Sequence, residues 1–364
     1  MPASVVPAIR ALRVASLDIP LFTPFGIAGG AQAMANNVLA TIELADGTLG
    51  HGEAAPLPPY NGETQADALA ALRSAAAWIG GRDPRDWRAL GAELARSSPV
   101  RSGSARGALE MALLDALTRH LGLPLVKFLG GAGTELETDM TVTTGSAAEA
   151  AAAARDIRAR GIRQIKVKVG GKSGPAHDLE RIAAIHAVAP DSPLILDGNA
   201  GVSRAAATEL IRGLKARGIA PALLEQWLAK DDLSGMRALR AESGWLVAAD
   251  ESVTSAADAT RIADAQAADV LNIKLMKDGV AAGLDIAAVA RARGLGLMIG
   301  GNVESILAMT VSACFAAGQG GFSFADLDTP FFLASNPFDG GYAITGGKIS
   351  VAHIAAGHGV TPRT

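Results

Sequence analysis

QIKVKV (164–169) and PLILD (193–197) are two of the short apolar runs that decide the fold of this 364-residue chain. Each run is followed by an Ala-rich stretch with the apolar spacing of an amphipathic helix. One similar run lies before them and five lie after, and the starts of the eight runs are 26, 29, 29, 23, 24, 26 and 26 residues apart. The other six runs are TDMTVTT (138–144), ALLEQ (222–226), WLVAAD (245–250), DVLNIK (269–274), LGLMIG (295–300) and GFSFAD (321–326).

This alternation of strand-like runs and helices predicts an α/β protein with a parallel sheet. Eight units at this period predict a closed (β/α)8-type barrel, that is, a modified TIM barrel. An open, doubly wound sheet is the alternative. That fold usually has a Gly-rich turn after its first strand, whereas the turn here is TTGSAAEA (143–150), which has the pattern of a plain serine cap.

The segments that flank the barrel have a different pattern. LRVASLDIPL (12–21) and NNVLATIELADGTLGHGEAA (36–55) alternate like antiparallel strands, with a hairpin turn at Asp46-Gly47, and helical stretches follow. We therefore expect an α+β capping domain over residues 1–130 and the catalytic barrel over residues 131–330. The aromatic and turn-rich segment 331–364 is expected to return to the cap and complete it.

Two Gly/Pro-rich loops of the first segment are candidate lids. They are FTPFGIAGGAQ (22–32) and PLPPYNGET (56–64), and each carries an aromatic residue, Phe25 and Tyr60, that is poorly suited to a fully solvated loop. The alternative is that both loops are ordinary surface connections.

Composition excludes several classes of protein. Apolar residues make up 49 % of the chain and charged residues 19 %, so there is ample material for a large core and disorder is excluded. Lys+Arg is 33 and Asp+Glu is 36, a net charge of -3 with no basic stripe, which argues against a nucleic-acid partner. We find neither a signal peptide nor an uninterrupted apolar span, so we expect a soluble, cytoplasmic protein with no membrane partner.

Three carboxylates stand at the carboxyl ends of successive predicted strands: Asp197, Glu225 and Asp250. In a barrel of this kind these ends surround the active site, so the three groups are expected to converge. Their mutual repulsion is relieved by a hard divalent cation, and oxygen-only ligands favour Mg²⁺. The alternative is that each carboxylate caps the helix that follows it.

Lysines stand beside the expected metal. Lys166 and Lys168 are two residues apart in one strand and therefore face the same side, into the barrel mouth, while Lys274 ends the strand diametrically opposite. Lys168 and Lys274 could thus reach one carbon from opposite faces. Two neighbouring ammonium groups disfavour each other's charge, which predicts a lowered pKa for at least one of them. The alternative is a solvated edge strand with protective lysines.

Asp326 and Asp328 follow the eighth strand, opposite the expected metal, and also share one side. They could hold a positive charge, or they could be loop and cap residues before Pro330.

The motifs KVK (166–168), LDGNAG (196–201), LLEQ (223–226), AADES (248–252) and NIKLMKDG (272–279) together resemble the enolase superfamily, and specifically its muconate-lactonising subgroup. The resemblance covers nearly the whole chain. FADLDTP (324–330) looks like the dipeptide epimerases of the L-Ala-D/L-Glu epimerase type.

This resemblance implies roles for the residues above. Asp197, Glu225 and Asp250 would bind Mg²⁺, Lys168 and Lys274 would act as acid and base, and Lys166 would assist at the substrate carboxylate. Asp326 and Asp328 would hold a substrate ammonium. Apart from the resemblance, Phe25 and Tyr60, as residues of the candidate lids, and Asn302 are expected to contact the substrate. The expected function is epimerisation at the C-terminal residue of a dipeptide, by an enzyme that is expected to be a homo-oligomer.

Other functions stay open at this stage. Within the superfamily, an N-acylamino acid racemase, an o-succinylbenzoate synthase or a muconate cycloisomerase would share the metal and the lysines. A phosphate-binding barrel would use Gly-rich loops such as Gly300-Gly301-Asn302, although Asp326 and Asp328 would repel a phosphate. A non-catalytic protein on this fold would need neither the lysines nor the metal site.

Overall fold

The computed structural model describes residues 6–27 and 30–363, and for residues 23–27, 30 and 31 it describes the backbone only. An antiparallel sheet opens the chain, with β1 (Ile9–Ile27), β2 (Gly30–Leu44) and β3 (Leu49–Ala54) in that order. Five helices and one short 3-10 turn at Pro84–Asp86 follow. The helices are α1 (Pro58–Asn61), α2 (Gln65–Ala76), α3 (Trp87–Ser97), α4 (Gly103–His120) and α5 (Leu125–Phe128).

β3 and α4 approach each other very closely. A Cβ atom added to Gly52 would lie 2.0 Å from the carbonyl oxygen of Ala108, and one added to Gly50 would lie 2.2 Å from the backbone nitrogen of Ala116. Only glycine allows backbone to approach backbone in this way. The helix therefore lies directly against the sheet, and almost all of α4 is buried.

The segment 22–32, which the sequence predicts as a loop, belongs to the hairpin of β1 and β2. Phe25 pairs with Gln32 and Ile27 pairs with Gly30, after an irregularity in register that follows Pro20. The loop prediction is wrong because cross-strand pairing satisfies the backbone despite the glycines and the proline. Ala28 and Gly29 lie outside the described residues, as does the side chain of Phe25.

Eight parallel strands form the second part of the molecule, each followed by a helix or a turn. After β4 (Glu135–Glu137), the strands are β5 (Met140–Val142), β6 (Ile165–Lys168), β7 (Leu194–Asp197), β8 (Leu223–Glu225), β9 (Val247–Ala249), β10 (Val270–Lys274), β11 (Gly296–Gly300) and β12 (Phe322–Ala325). The helices between them are α6 (Ala147–Ala159), α7 (Gly174–Val188), α8 (Arg204–Ala216), α9 (Leu233–Ser243), α10 (Ala256–Ala265), α11 (Leu275–Ala292) and α12 (Ile306–Gln319).

The first and last of these strands meet. The backbone N–H of Asp139, just before β5, donates to the carbonyl of Ala325 at the end of β12, at 2.9 Å. The N–H of Leu327 donates to the hydroxyl of Thr138 at 3.0 Å. The predicted barrel is confirmed, because the parallel sheet curls until its outer strands are bonded to each other.

The end of the chain packs against both parts. A 3-10 turn at Thr329–Phe332 leads to four short strands, β13 (Phe338–Gly340), β14 (Ala343–Thr345), β15 (Lys348–Ser350) and β16 (Val360–Pro362). β15 pairs with β4 beside the barrel. His358 is fully buried against α4, where its backbone N–H donates to Asp115 at 2.9 Å.

None of the helices in the described part of the chain has the length and apolar character that a bilayer crossing requires.

Candidate active site

Asp197, Glu225 and Asp250 converge at one end of the barrel. Asp197 ends β7 and lies in register with Glu225, which ends β8, and Asp250 follows β9. All three side chains are fully buried. None of them caps a helix: the helices that follow begin after Ser203, Asp232 and Ser255, whose side chains accept the capping hydrogen bonds.

The three predicted lysines lie among these carboxylates. Lys166 Nζ is 3.0 Å from Asp197 Oδ2 and 2.9 Å from Glu225 Oε2. Lys168 Nζ is 2.6 Å from Asp197 Oδ2, and Lys274 Nζ is 2.8 Å from Asp250 Oδ2. Because β6 lies between β5 and β7, the alternative of a solvated edge strand is excluded.

The expected lowering of a lysine pKa is not found for Lys166 or Lys274. Burial acts to lower the pKa of Lys166, but the carboxylates of Asp197, Asp326 and Glu225 outweigh burial and raise it well above its usual value. Burial opposes Asp250 in the same way at Lys274, whose pKa is also raised. Repulsion between the lysines would lower their pKa values, but the charges nearest to them in the structure are carboxylates, which act in the opposite direction.

The donor set of the three carboxylates fits Mg²⁺. All ligand atoms would be oxygens, which hard cations prefer. Glu225 Oε2 and both oxygens of Asp250 contact lysine ammonium groups, but they accept no well-directed hydrogen bond from the described residues. Buried carboxylate oxygens without such hydrogen bonds are suited to bind a metal ion, and the neighbouring lysines offset part of their negative charge.

Asp326 and Asp328 lie across the barrel mouth from these carboxylates. Asp326 Oδ2 is 2.6 Å from Lys166 Nζ, and Asp328 Oδ2 accepts a hydrogen bond of 2.7 Å from the N–H of Thr141. Asp328 precedes the 3-10 turn but makes no side-chain capping bond to it. Asp139 joins the pair, with one oxygen of each of the three residues lying within 4.8 Å of the others.

A narrow cavity of about 20 Å³ is lined by Asp326 and Asp328 and also by Lys168, Lys274 and Tyr60. The Lys166 ammonium lies between Asp326 and the carboxylates of Asp197 and Glu225. The Tyr60 ring lies on α1 of the N-terminal segment, with its centroid 5.1 Å from Lys274 Nζ. This volume cannot hold a dipeptide. Binding would therefore require the lysines to leave the carboxylates or α1 to move outward.

Asn302 also lines the cavity and connects the barrel to the N-terminal part. Its amide nitrogen donates to the carbonyl of Ala55 at 2.9 Å, and its backbone N–H donates to Glu304 at 2.7 Å. The buried Asn302 Oδ1 accepts no hydrogen bond from the described residues and is available to a ligand.

Two partly buried charged residues beside the expected metal site were assigned no role from the sequence. Lys277 Nζ lies 2.6 Å from Asp250 Oδ1 and donates to three backbone carbonyls, those of Asp250, Val253 and Asn272. Glu251 accepts a hydrogen bond of 3.3 Å from the Asn199 amide. The second lysine of NIKLMKDG was a signal for Lys277, since a lysine in an apolar helix start needs an acidic partner.

A larger cavity of about 540 Å³ lies at the other end of the barrel, near the starts of β6 and β12. Its lining includes Gln164, Phe322 and Lys348, but none of the carboxylates and lysines of the candidate site described above. The smaller cavity is therefore the candidate active site, because Lys168, Lys274, Asp326 and Asp328 line it near the carboxyl ends of the strands.

Comparison with known proteins gives matches along nearly the whole chain. The model of the mandelate racemase / muconate lactonizing enzyme N-terminal domain matches residues 9–130. A model described as enolase C-terminal domain-like matches residues 148–364.

Individual relatives are similar over almost their full length. An aromatic dipeptide epimerase from Herpetosiphon aurantiacus is 53 % identical over 352 residues, which are 97 % of this chain and 98 % of the relative. A hydrophobic dipeptide epimerase from Citrifermentans bemidjiense is 40 % identical over 354 residues, 94 % of this chain and 95 % of the relative. The solved structure of a dipeptide epimerase from Enterococcus faecalis, complexed with Mg and L-Leu-L-Tyr, has a TM-score of 0.92 at 30 % identity and covers 97 % of this chain and 99 % of its own.

Mg²⁺ is expected to stabilise the protein through the three buried carboxylates. At a hundredfold excess over its dissociation constant, the ion should raise the free energy of unfolding by about 2.7 kcal/mol. Thermal unfolding in MgCl₂ and in EDTA measures this shift, which Glu225→Gln should remove. Asp231→Asn, a change at an exposed carboxylate, is the control and should keep the shift. An equal shift in the Glu225 variant would contradict the assignment of the metal ligands.

Proposed function

The chain belongs to the mandelate racemase / muconate lactonizing enzyme family of the enolase superfamily, and on that premise we propose that it is a magnesium-dependent dipeptide epimerase. The observation that carries the proposal is the order of charges from the expected metal site to one cavity. Asp326 and Asp328 line the cavity together with Lys168 and Lys274, and these two lysines contact Asp197 and Asp250, two of the three buried carboxylates suited to a metal.

This order of charges matches a molecule with a carboxylate at one end and an ammonium at the other. The substrate carboxylate would lie at the metal end, so that the carbon next to it lies between Lys168 and Lys274. The ammonium would lie at Asp326 and Asp328. A dipeptide has both groups, and its reacting carbon is the α-carbon of its C-terminal residue.

Epimerisation needs one proton removed and one returned on the opposite face. One lysine, neutral at Nζ, would take the α-proton, and the other, protonated at Nζ, would deliver a proton from the other side. When bound by Asp197, Glu225 and Asp250, Mg²⁺ would supply positive charge where negative charge develops on the substrate carboxylate. The Lys166 ammonium would add a further positive charge there.

The raised pKa of Lys274 bears on this mechanism. Burial acts to lower the pKa of Lys274, but the contact with Asp250 outweighs burial and favours the protonated lysine. With Mg²⁺ bound by Asp197, Glu225 and Asp250, these carboxylates would favour the protonated lysine less. Tyr60 on α1 would help to exclude water from the closed site.

The same superfamily offers N-acylamino acid racemases, o-succinylbenzoate synthases and muconate cycloisomerases as alternatives. Their substrates have no free ammonium, so Asp326 and Asp328, which line the cavity, would have no substrate cation to bind. The names of the relatives at 53 % and 40 % identity also favour dipeptides.

We further propose that the C-terminal side chain of the substrate is uncharged and apolar. The segments that contribute to the lining of the cavity, 56–64 and 300–305, contain no lysine, arginine or histidine. Lys166, Lys168 and Lys274 are already paired with carboxylates. A glutamate side chain would thus lose water without gaining a cation. The aromatic and hydrophobic dipeptides in the relatives' names agree with this preference.

Replacing either base should separate proton exchange from epimerisation. Lys168→Ala and Lys274→Ala are each expected to lower epimerisation by about 10²- to 10⁴-fold, because each removes one acid/base group. In D₂O, each variant should still exchange the α-proton of one epimer, and the two variants should act on opposite epimers. NMR of each pure epimer measures this exchange. Lys172→Ala, a change at an exposed lysine, should behave like the wild type. Full epimerase activity in Lys274→Ala would refute the two-base mechanism.

Acetylating the amino group of the dipeptide should lower kcat/KM by about 10- to 100-fold. Bonds between charged groups contribute roughly 1.5–3 kcal/mol, and acetylation removes the charge. Asp326→Asn and Asp328→Asn should reduce this discrimination, whereas Asp339→Asn, a change at an exposed aspartate, should not. A clear preference of the wild type for an N-succinyl amino acid would instead favour the racemase or the succinylbenzoate synthase.

The side-chain preference is tested with two matched dipeptides. The value of kcat/KM for L-Ala-L-Phe should exceed that for L-Ala-L-Glu by about tenfold or more, since burying an unpaired carboxylate costs at least 1–3 kcal/mol. Deuterium incorporation from D₂O measures both reactions in one assay. Faster turnover of the glutamate dipeptide would contradict the apolar assignment while leaving the epimerase assignment intact.

A further inference from the structure

Asp139 is a buried carboxyl group to which neither the sequence motifs nor the mechanism above assigns a role. It precedes β5, and its backbone N–H makes the bond to Ala325 that closes the barrel. Its side chain is fully buried, and neither of its oxygens accepts a hydrogen bond from the described residues. A buried, unpartnered carboxylate is costly, so this side chain needs a partner that the residues discussed so far do not provide.

The oxygens of Asp139 face Asp326 and Asp328, with one oxygen of each residue lying within 4.8 Å of the others. The cation in contact with this group is Lys166, at 2.6 Å from Asp326. That ammonium also contacts Asp197 and Glu225, on the other side. Lys168, Lys274 and Glu304 also act electrostatically on Asp326. Among the described residues, however, Lys166 supplies the ammonium that contacts this group of carboxyls, and it is shared with Asp197 and Glu225.

Three ionised carboxylates at this spacing and burial would repel one another strongly. Burial, followed by Asp326, raises the pKa of Asp139 well above its usual value. Burial and Asp326 likewise raise the pKa of Asp328 to about 7. Lys166 and Glu225 also face Asp139, from β6 and β8, and the Tyr342 hydroxyl, which donates to the carbonyl of Leu327 at 2.9 Å, is close to Asp328.

We propose that Asp139 is a positioning residue of the ammonium subsite: in the free enzyme its carboxyl group shares a proton with Asp328, and the incoming substrate ammonium displaces that proton. The O–H bond of the carboxyl group breaks, the proton passes to the buffer, and the ammonium takes over the position between the carboxylates. Asp139 acts through Asp326 and Asp328, since it does not line the cavity itself. This inference rests on the proposed dipeptide substrate.

The exchange of a proton for an ammonium keeps the charge of the cluster constant. The empty subsite therefore carries no large negative charge, and binding of the substrate ammonium adds no net positive charge to it. Since binding releases a proton, affinity should rise with pH by up to tenfold per pH unit, as long as the cluster is protonated in the free enzyme. The dipeptide amino group, with a pKa of about 7.7–8.0, is already protonated at pH 6.5, so it takes up almost no proton on binding.

Calorimetric titration at pH 6.5 in buffers of different ionisation enthalpy counts the protons released. The probe is L-alanyl-α-methyl-L-phenylalanine, which lacks an exchangeable α-proton, in the presence of Mg²⁺. The wild type should release close to one proton per dipeptide, and its affinity should rise about tenfold between pH 5.5 and 6.5. In Asp139→Asn the amide can donate an N–H to the ionised Asp328 carboxylate, so this variant should release clearly less than one proton, and its affinity should depend less on pH than that of the wild type.

Two controls isolate the effect. The N-acetylated probe has no ammonium and should release no proton from the wild type. Glu110→Gln alters another buried carboxyl group with a raised pKa, on α4 and outside the lining of the cavity, and should release the same proton as the wild type.

No release from the wild type, or equal release from Asp139→Asn, would overturn the inference. Should Asp139→Asn fail to fold, the wild-type buffer series and the N-acetylated probe still decide the question. If the wild type binds the N-acetylated probe as tightly as the free one, the proposed function fails instead. If it prefers the free dipeptide but releases no proton, the inference alone fails.

Discussion

Charge compensation in a buried space governs the architecture of this barrel mouth. Asp197, Glu225 and Asp250 are fully buried, and each is in contact with at least one lysine ammonium. None of these charges would be tolerated alone at this depth, because an unpaired buried ion costs several kcal/mol. The lysines and carboxylates must therefore be considered as one set, in which moving or adding any charge changes the protonation of the others.

This mutual dependence explains why the sequence predicts the residues of the site better than it predicts their pKa values. Positions at strand ends follow from the βα period, so Asp197, Glu225 and Lys274 could be assigned to one end of the barrel before any coordinates. The pKa of Lys274 could not be predicted from the sequence, because it depends on the charge that lies nearest in three dimensions. That charge is the carboxylate of Asp250. The alternation of side chains along β6 was enough to put Lys166 and Lys168 on one side, but it does not give distances.

Two other differences between expectation and structure have the same origin in long-range pairing. Residues 22–32 have the composition of a loop, yet the partner strand extends the hairpin of β1 and β2 into this segment. Asp139 gave no signal as a functional residue because its neighbours, Asp326 and Asp328, lie almost two hundred positions later in the chain. Only the closing of the barrel brings them together, and no local sequence pattern predicts how its first and last strands align.

The bond between Asp139 and Ala325 also has a consequence for the newly made chain. As the protein emerges from the ribosome, the first half of the barrel cannot meet its last strand until residue 325 has been translated, and the segment that packs His358 against α4 emerges later still. Until then Asp139 cannot reach Asp326 and Asp328, so its carboxylate stays accessible to water, where its charge costs little. The desolvation of this cluster is thus postponed until the barrel closes, and an interrupted chain would leave exposed strand edges, which are a target for chaperones.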